Sequence, residues 1–303
     1  MAARQFRLLL LVELLLYAGL GGLLTTHAGW SPGAAVALAL AAFFGLRLCL
    51  VLLTFGLSLR GGGEVPPEAR VGPLRALRMV AAEYFAFVLM FAAIIPLADF
   101  WLGPDRLGHC AARRTPLLLI HGYQCNRGFW FWLRRRLEAA GWTVASHDLE
   151  PVYAEIDRYA AGIARRVDEV LAATGADKVI LVAHSMGGLA ARAYLRRHGA
   201  GKVAKLVTLG SPHRGTRIAS LGLGPNARQM SVGSPWLKSL AEGEALPPAT
   251  ISICSLHDNY VFPQPAASSL AGAAGVAVSG VGHVAMAFSP RLLDALTEAL
   301  ERA

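Results

Sequence analysis

Residues 181 to 188 read Leu-Val-Ala-His-Ser-Met-Gly-Gly, an apolar, partly β-branched run that ends in a serine set between small neighbours. Such a segment fits a buried strand that turns into a helix within about two residues and leaves one hydroxyl at the crest. Only small flanking residues permit so tight a turn. Here they are Ala183 and Gly187, so a G-x-S-x-G elbow is present with Ala in place of its first Gly. Val179 to Val182 supply the strand, and Leu189, Ala190, Ala193 and Tyr194 form a helical stripe after the turn. Read alone, the pentapeptide also suits an ordinary buried serine at a helix start.

Working outward, residues 115–120 (TPLLLI) are a short continuous apolar run of the kind a strand buried on both faces requires. The pattern then predicts a helix over 127–140, a strand over 142–147 and a long amphipathic helix over 153–174 closed by Gly175. After the strand at 178–183 and the helix at 186–198 come strands at 203–209, 249–255 and 275–279, then a last helix over about 286–302. Alternation of this kind means parallel βαβ units with helices on both faces of a sheet. Residues 211–247, rich in Gly, Pro and Ser, form the one long irregular stretch. Met230, Trp236, Leu237 and Leu240 within it suit a partial cover over the site or plain packing beneath a loop, and a mobile lid stays open.

A serine hydroxyl needs an imidazole to take its proton and a carboxylate to hold that imidazole in the right tautomer. Asp258 follows the strand 249–255, where a carboxylate at the strand's C-terminal edge faces the crest, and His283 lies between a short strand and the last helix. The order Ser185, Asp258, His283 is serine, acid, histidine, with gaps of 73 and 25 residues. Asp148 is the competing acid, and His184, His213 and His257 are the competing bases. Tyr123, after the His121-Gly122 bend, and Met186 are the candidate backbone donors for an oxyanion. His121, Gly122, His184 and His213 are candidate substrate-lining residues.

Together these segments resemble the α/β-hydrolase superfamily, and most closely its small bacterial lipases and esterases. The resemblance runs from about 115 to 300 on LLLIHGY at 117–123, VAHSMGG at 182–188, VTLGSPHRGT at 207–216, SLHDNYV at 255–261 and GVGHVAM at 280–286. It implies an α/β-hydrolase fold with a mostly parallel sheet, Ser185 as nucleophile, Asp258 as acid, His283 as base, and carboxylic-ester hydrolysis through an acyl-enzyme. Some larger relatives hold a calcium ion. No acidic cluster for one is evident here, and neither a metal nor a cofactor is expected.

The resemblance does not reach residues 1–103, which are read as a transmembrane anchor region preceding a catalytic domain at 104–303. Three apolar runs, 6–26, 33–59 and 77–103, are each long enough to cross a bilayer as a helix. The first also suits a cleavable signal peptide, with Arg4 and Arg7 ahead of it, but two further runs favour anchoring. Arg4 and Arg7 flank the first run, 27–32 carries no Lys or Arg, and Arg60, Arg70 and Arg75 follow the second, so positive charge puts the first end in the cytoplasm. Three crossings then deliver the catalytic domain to the periplasmic side of a bacterial inner membrane. Glu13, Arg47 and Glu83 interrupt the runs, and an Arg47 pair with Glu13 or Glu83 is expected.

The net charge of +9 is spread over helix faces without interleaved aromatics, which argues against nucleic acid and for anionic lipid headgroups. Cys110 and Cys125 flank the first strand of the globular part and could form a disulfide in an oxidising compartment. The leading reading is a membrane-anchored serine esterase or lipase acting on an ester or lipid substrate. Acyl transfer or thioester hydrolysis by the same triad, and a non-catalytic membrane scaffold or transport-associated protein, are the alternatives. Substrate identity and oligomeric state are open at this level.

Overall fold

The computed structural model of the chain describes residues 2–109, 114–242, 246–247 and 249–302. Three long apolar helices come first: α1 (Ala2–His27), α2 (Pro32–Gly61) and α3 (Pro73–Leu89), the last continuing through a wider turn to Ile94. All three are long and apolar enough to cross a membrane. A short helix α4 (Ala98–Leu102) leads into the alternating part: β1 (Leu117–Ile120), α5 (Phe131–Ala139), β2 (Val144–His147), α6 (Tyr159–Thr174), β3 (Val179–His184), α7 (Met186–His198) and β4 (Val203–Leu209). Then follow α8 (Gly224–Gln229), α9 (Pro235–Ala241), β5 (Ala249–Ser255), β6 (Ala274–Val278) and α10 (Pro290–Glu301).

The six strands form one parallel sheet in the order β2-β1-β3-β4-β5-β6. Both faces are covered, which is why these strands are apolar throughout rather than alternating. Leu117, Leu119, Val182 and Val207 face one layer, with Trp130 and Leu296, while Leu118, Ile120, Leu181 and Leu206 face the other, with Ile163 and Leu189. All six expected strands are present. Three helices start later than the sequence pattern suggests: α5 follows a 3₁₀ turn at Arg127–Trp130, α6 follows another at Ile156–Arg158, and α10 starts at Pro290, capped by Ser289 Oγ accepting from Leu292 N–H at 3.2 Å.

The apolar helices are less separate from the sheet domain than expected. Ala86, Met90, Ile94 and Ile95 of the α3 segment belong to the same buried cluster as Trp130 and Val182, so residue 103 is not a boundary in the packing. The α3 segment also meets the domain at its start, where Val71 lies beside Gly280, and at its middle, through Glu83. It therefore lies along the domain. At the other end, Ala2 is buried and its N–H donates to Glu150 Oε1 at 3.3 Å. These contacts keep the Ala2 end of α1 beside the sheet domain.

Of the two pairings expected for Arg47, the structure contains the one with Glu13: Nη1 and Nη2 meet the two carboxylate oxygens at 2.8 and 2.7 Å. Glu83 is used elsewhere. Cys110 lies outside the described residues, so the Cys110–Cys125 bridge does too; Cys125 is buried.

Candidate active site

Ser185 sits alone between β3 and α7 with φ 55° and ψ −127°, a conformation non-glycine residues rarely hold. Its N–H donates to Leu209 O at 2.9 Å, which ties the crest to β4. Crowding explains the small neighbours. A Cβ on Gly187 would lie 2.5 Å from both Ile120 O and His121 O, and one on Gly188 would collide with the Ser211 side chain. One on Gly122 would lie 2.8 Å from Ser185 Cβ, so the β1 end approaches the hydroxyl directly.

The loops after β5 and β6 bring the other two candidates to the same rim. His283 Nε2 lies 3.0 Å from Ser185 Oγ, and His283 Nδ1 lies 2.8 Å from Asp258 Oδ2. The second carboxylate oxygen of Asp258 accepts the N–H groups of Tyr260 and Val261 at 2.8 and 2.7 Å, which leaves its partner oxygen aimed at the ring. All three side chains are buried. Burial by itself pushes the His283 pKa down, but the charge and hydrogen bond of Asp258, with Glu83 behind, leave it above the ordinary imidazole value.

The membrane-type helices hold this constellation in place. Glu83, fully buried, accepts the backbone N–H groups of Val284 at 3.0 Å and Ala285 at 2.7 Å, and a Cβ on Gly282 would run into its carboxylate. Asn259 Oδ1 accepts the His283 N–H at 2.9 Å while its amide donates to Thr54 Oγ1 of α2 at 2.8 Å. Ser58 Oγ donates to Asp258 O at 3.0 Å, and the Gln264 amide joins both. Of these positioning residues only Asn259 belongs to a motif read from the sequence, SLHDNYV at 255–261; Glu83, Thr54, Ser58 and Gln264 lie outside them. Glu83 carried one signal: a lone acid in an apolar helix needs donors once Arg47 is taken by Glu13.

A cavity of about 570 Å³, lined mostly by apolar side chains, opens at the hydroxyl. Gly122 and His184 line it, as does Tyr123. His184 is stacked on Phe129 with ring centroids 4.0 Å apart and lies 4.6 Å from the His283 ring; burial drives its pKa well below the usual value, so it stays neutral. The lining role expected for His121 and His213 is not what the structure contains. His121 Nε2 accepts the Leu149 N–H at 2.9 Å and Nδ1 faces Gly122 O at 2.8 Å, which fixes the bend from behind. His213 is buried against Thr208 Oγ1 at 2.9 Å, away from the cavity.

The rivals are placed elsewhere as well. Asp148 accepts the Arg127 N–H at 2.6 Å beside His121; burial would raise its pKa, but these partners lower it to about 2. His257 Nδ1 accepts the Gly280 N–H at 3.1 Å. Of the irregular stretch, Ile218, Ala219, Leu221, Ala227 and Met230 line the cavity, while Leu237 and Leu240 are buried in the core, so both readings of that stretch are partly realised. Among the described residues no cluster of metal-ligating side chains occurs.

Residues 102–230 match the family model of the alpha/beta hydrolase fold. Triacylglycerol lipases of Pseudarthrobacter phenanthrenivorans and Burkholderia plantarii are each 35% identical over 117 residues, 36% of this chain. The match spans about a third of those relatives' length, 36% and 32%. A mature Bacillus licheniformis lipase, BlEst2, superposes with a TM-score of 0.57 at 19% identity over 65% of this chain and 96% of its own. Aspergillus fumigatus lipase B does so with 0.54 at 16% identity, over 66% and 55%. The sheet domain of this chain has the α/β-hydrolase fold. The chain's first hundred residues lie outside the family match.

Proposed function

We propose that the protein is a membrane-anchored serine hydrolase of carboxylic esters. The observation that carries the reading is the continuous relay Asp258–His283–Ser185, at 2.8 and 3.0 Å, opening onto an apolar cavity. Ser185 Oγ attacks the ester carbonyl as His283 Nε2 takes its proton, and Asp258 holds the other ring nitrogen protonated and stabilises the imidazolium. The backbone N–H groups of Tyr123 and Met186 receive the oxyanion, the latter at the start of α7. Collapse expels the alcohol with the proton from His283, leaving an acyl group on Ser185. Water, activated by the same ring, then releases the acid and restores the hydroxyl.

The membrane arrangement proposed with it is a helical hairpin. α1 and α2 cross the bilayer, α3 lies along the domain at its surface, and the Ala2 end and the sheet domain share one side. Arg4, Arg7, Arg60, Arg70 and Arg75 fall on that side and the uncharged connection 28–31 on the other, which by the positive-inside rule makes the domain side cytoplasmic. Hydrolysis of nitrophenyl esters of graded chain length tests the activity: Ser185→Ala lowers kcat/KM by about 10⁴-fold, and an unchanged rate in the purified variant removes the reading.

A further inference from the structure

Resting on the hydrolase reading above, we propose that the substrate is a lipid still seated in the bilayer, and that the helical hairpin itself forms the binding wall for its acyl chain. The cavity at Ser185 is not confined to the sheet domain. It is walled by Leu9 of α1, by Leu46, Leu50 and Leu53 of α2, and by Phe87 and Phe91 of the α3 segment. Leu9, Leu46, Leu50 and Leu53 also have exposed surface, so the same helix faces that meet lipid meet the cavity, which connects sideways with the hydrocarbon. Its volume of about 570 Å³ lies in the range of sites that enclose a small-molecule ligand.

The direction of this wall matters. Thr54 is bonded to the Asp258–His283 loop, and Arg47 lies two helical turns further from it, about 10 Å along α2. There the Arg47–Glu13 pair also lines the cavity, with the guanidinium resting over the Phe43 ring at 3.5 Å. The two charges cancel, so the deep end of the cavity offers no net charge to a carboxylate or phosphate and suits a hydrocarbon tail. An ester whose carbonyl sits at the Ser185 crest can send its chain down between α1 and α2, in the orientation it already has in the leaflet. No extraction into water is needed. The substrate class is therefore a long-chain carboxylic-ester lipid of the leaflet on the domain's side, and Leu9 and Leu50 are residues that determine chain-length selectivity.

The test uses the full chain in phospholipid vesicles and a long-chain alkyl fluorophosphonate bearing a terminal diazirine. Phosphonylation of Ser185 fixes one end of the chain, and irradiation followed by peptide mapping reads where the other end lies. Crosslinks within residues 6–13 and 46–57 support the proposal. Crosslinks confined to residues 212–230 overturn it, because the chain then lies under the irregular cover while the hydrolase reading survives. Absence of any adduct at Ser185 removes the hydrolase reading and the proposal with it. As a second measurement, Leu50→Trp and Leu9→Trp lower the ratio of kcat/KM for long-chain over short-chain esters by at least about tenfold; an unaltered ratio in both variants overturns the assignment.

Discussion

Replacing Glu83 by Gln changes one oxygen of one side chain that never touches substrate, yet its effect on turnover is large. The carboxylate accepts two N–H groups, from Val284 at 3.0 Å and Ala285 at 2.7 Å, in the segment directly after His283. A carboxamide can accept only one of them and turns its own N–H₂ toward the other. Hydrogen bonds to a charged acceptor contribute about 1.5–3 kcal/mol each, and the site is fully buried, so water does not replace the lost partner. If the loss falls on the placement of the imidazole, kcat/KM drops by about 10- to 100-fold.

The same substitution removes a negative charge that helps hold the His283 pKa up. His283 must be neutral to act as base, so activity is lost as pH falls through its pKa. In the wild type that acidic limb lies above the ordinary imidazole value, and in Glu83→Gln it moves toward lower pH. The assay is a pH series of kcat/KM for a soluble nitrophenyl ester, with circular dichroism to verify folding. Wild-type kcat/KM together with an unmoved limb in the folded variant would refute the positioning role and the electrostatic argument at once.

Thr54→Val removes the hydroxyl that holds Asn259, and with it about 0.5–1.5 kcal/mol, so a several-fold fall in kcat is expected with KM for short esters little altered. Gly122→Ala places a Cβ 2.8 Å from Ser185 Cβ and lowers kcat by at least about tenfold; the variant's esterase kinetics give the answer. Arg47→Leu leaves Glu13 without its cation inside the hairpin and lowers thermal stability in detergent by about 3 kcal/mol; an unchanged melting transition speaks against the pair. Topology is read by maleimide labelling of intact spheroplasts in a background with the native cysteines replaced. Gly29→Cys is labelled, whereas Glu64→Cys and Arg291→Cys react only after permeabilisation; labelling of Arg291→Cys in intact cells contradicts the hairpin.

The succession of strands and helices and the elbow at Ser185 could be read from the chain because each rests on local sequence. Leu117–Ile120 and Val179–His184 are apolar throughout since both sheet faces are buried, and the small residues around Ser185 answer to clashes within a few residues of the turn. What could not be read depends on contacts between distant segments. His121 and His213 stand beside motif residues, but whether a ring faces a cavity or a backbone amide is set by Leu149 and Thr208. Glu83 suits a pair with Arg47 by depth alone, but depth along a helix does not say which way a side chain points, and its carboxylate meets Val284 and Ala285 instead. Hydropathy likewise does not reveal that the α3 segment packs against Trp130, since an apolar face buried in a core has the same composition as one that faces lipid.

The most direct measurement is peptide mapping of the fluorophosphonate adduct, with its rate of formation compared between the wild type and His283→Gln. A single adduct on Ser185, formed about 10³-fold more slowly in the variant, is the predicted result. An adduct on another residue, or an equal rate without the imidazole, would contradict the account.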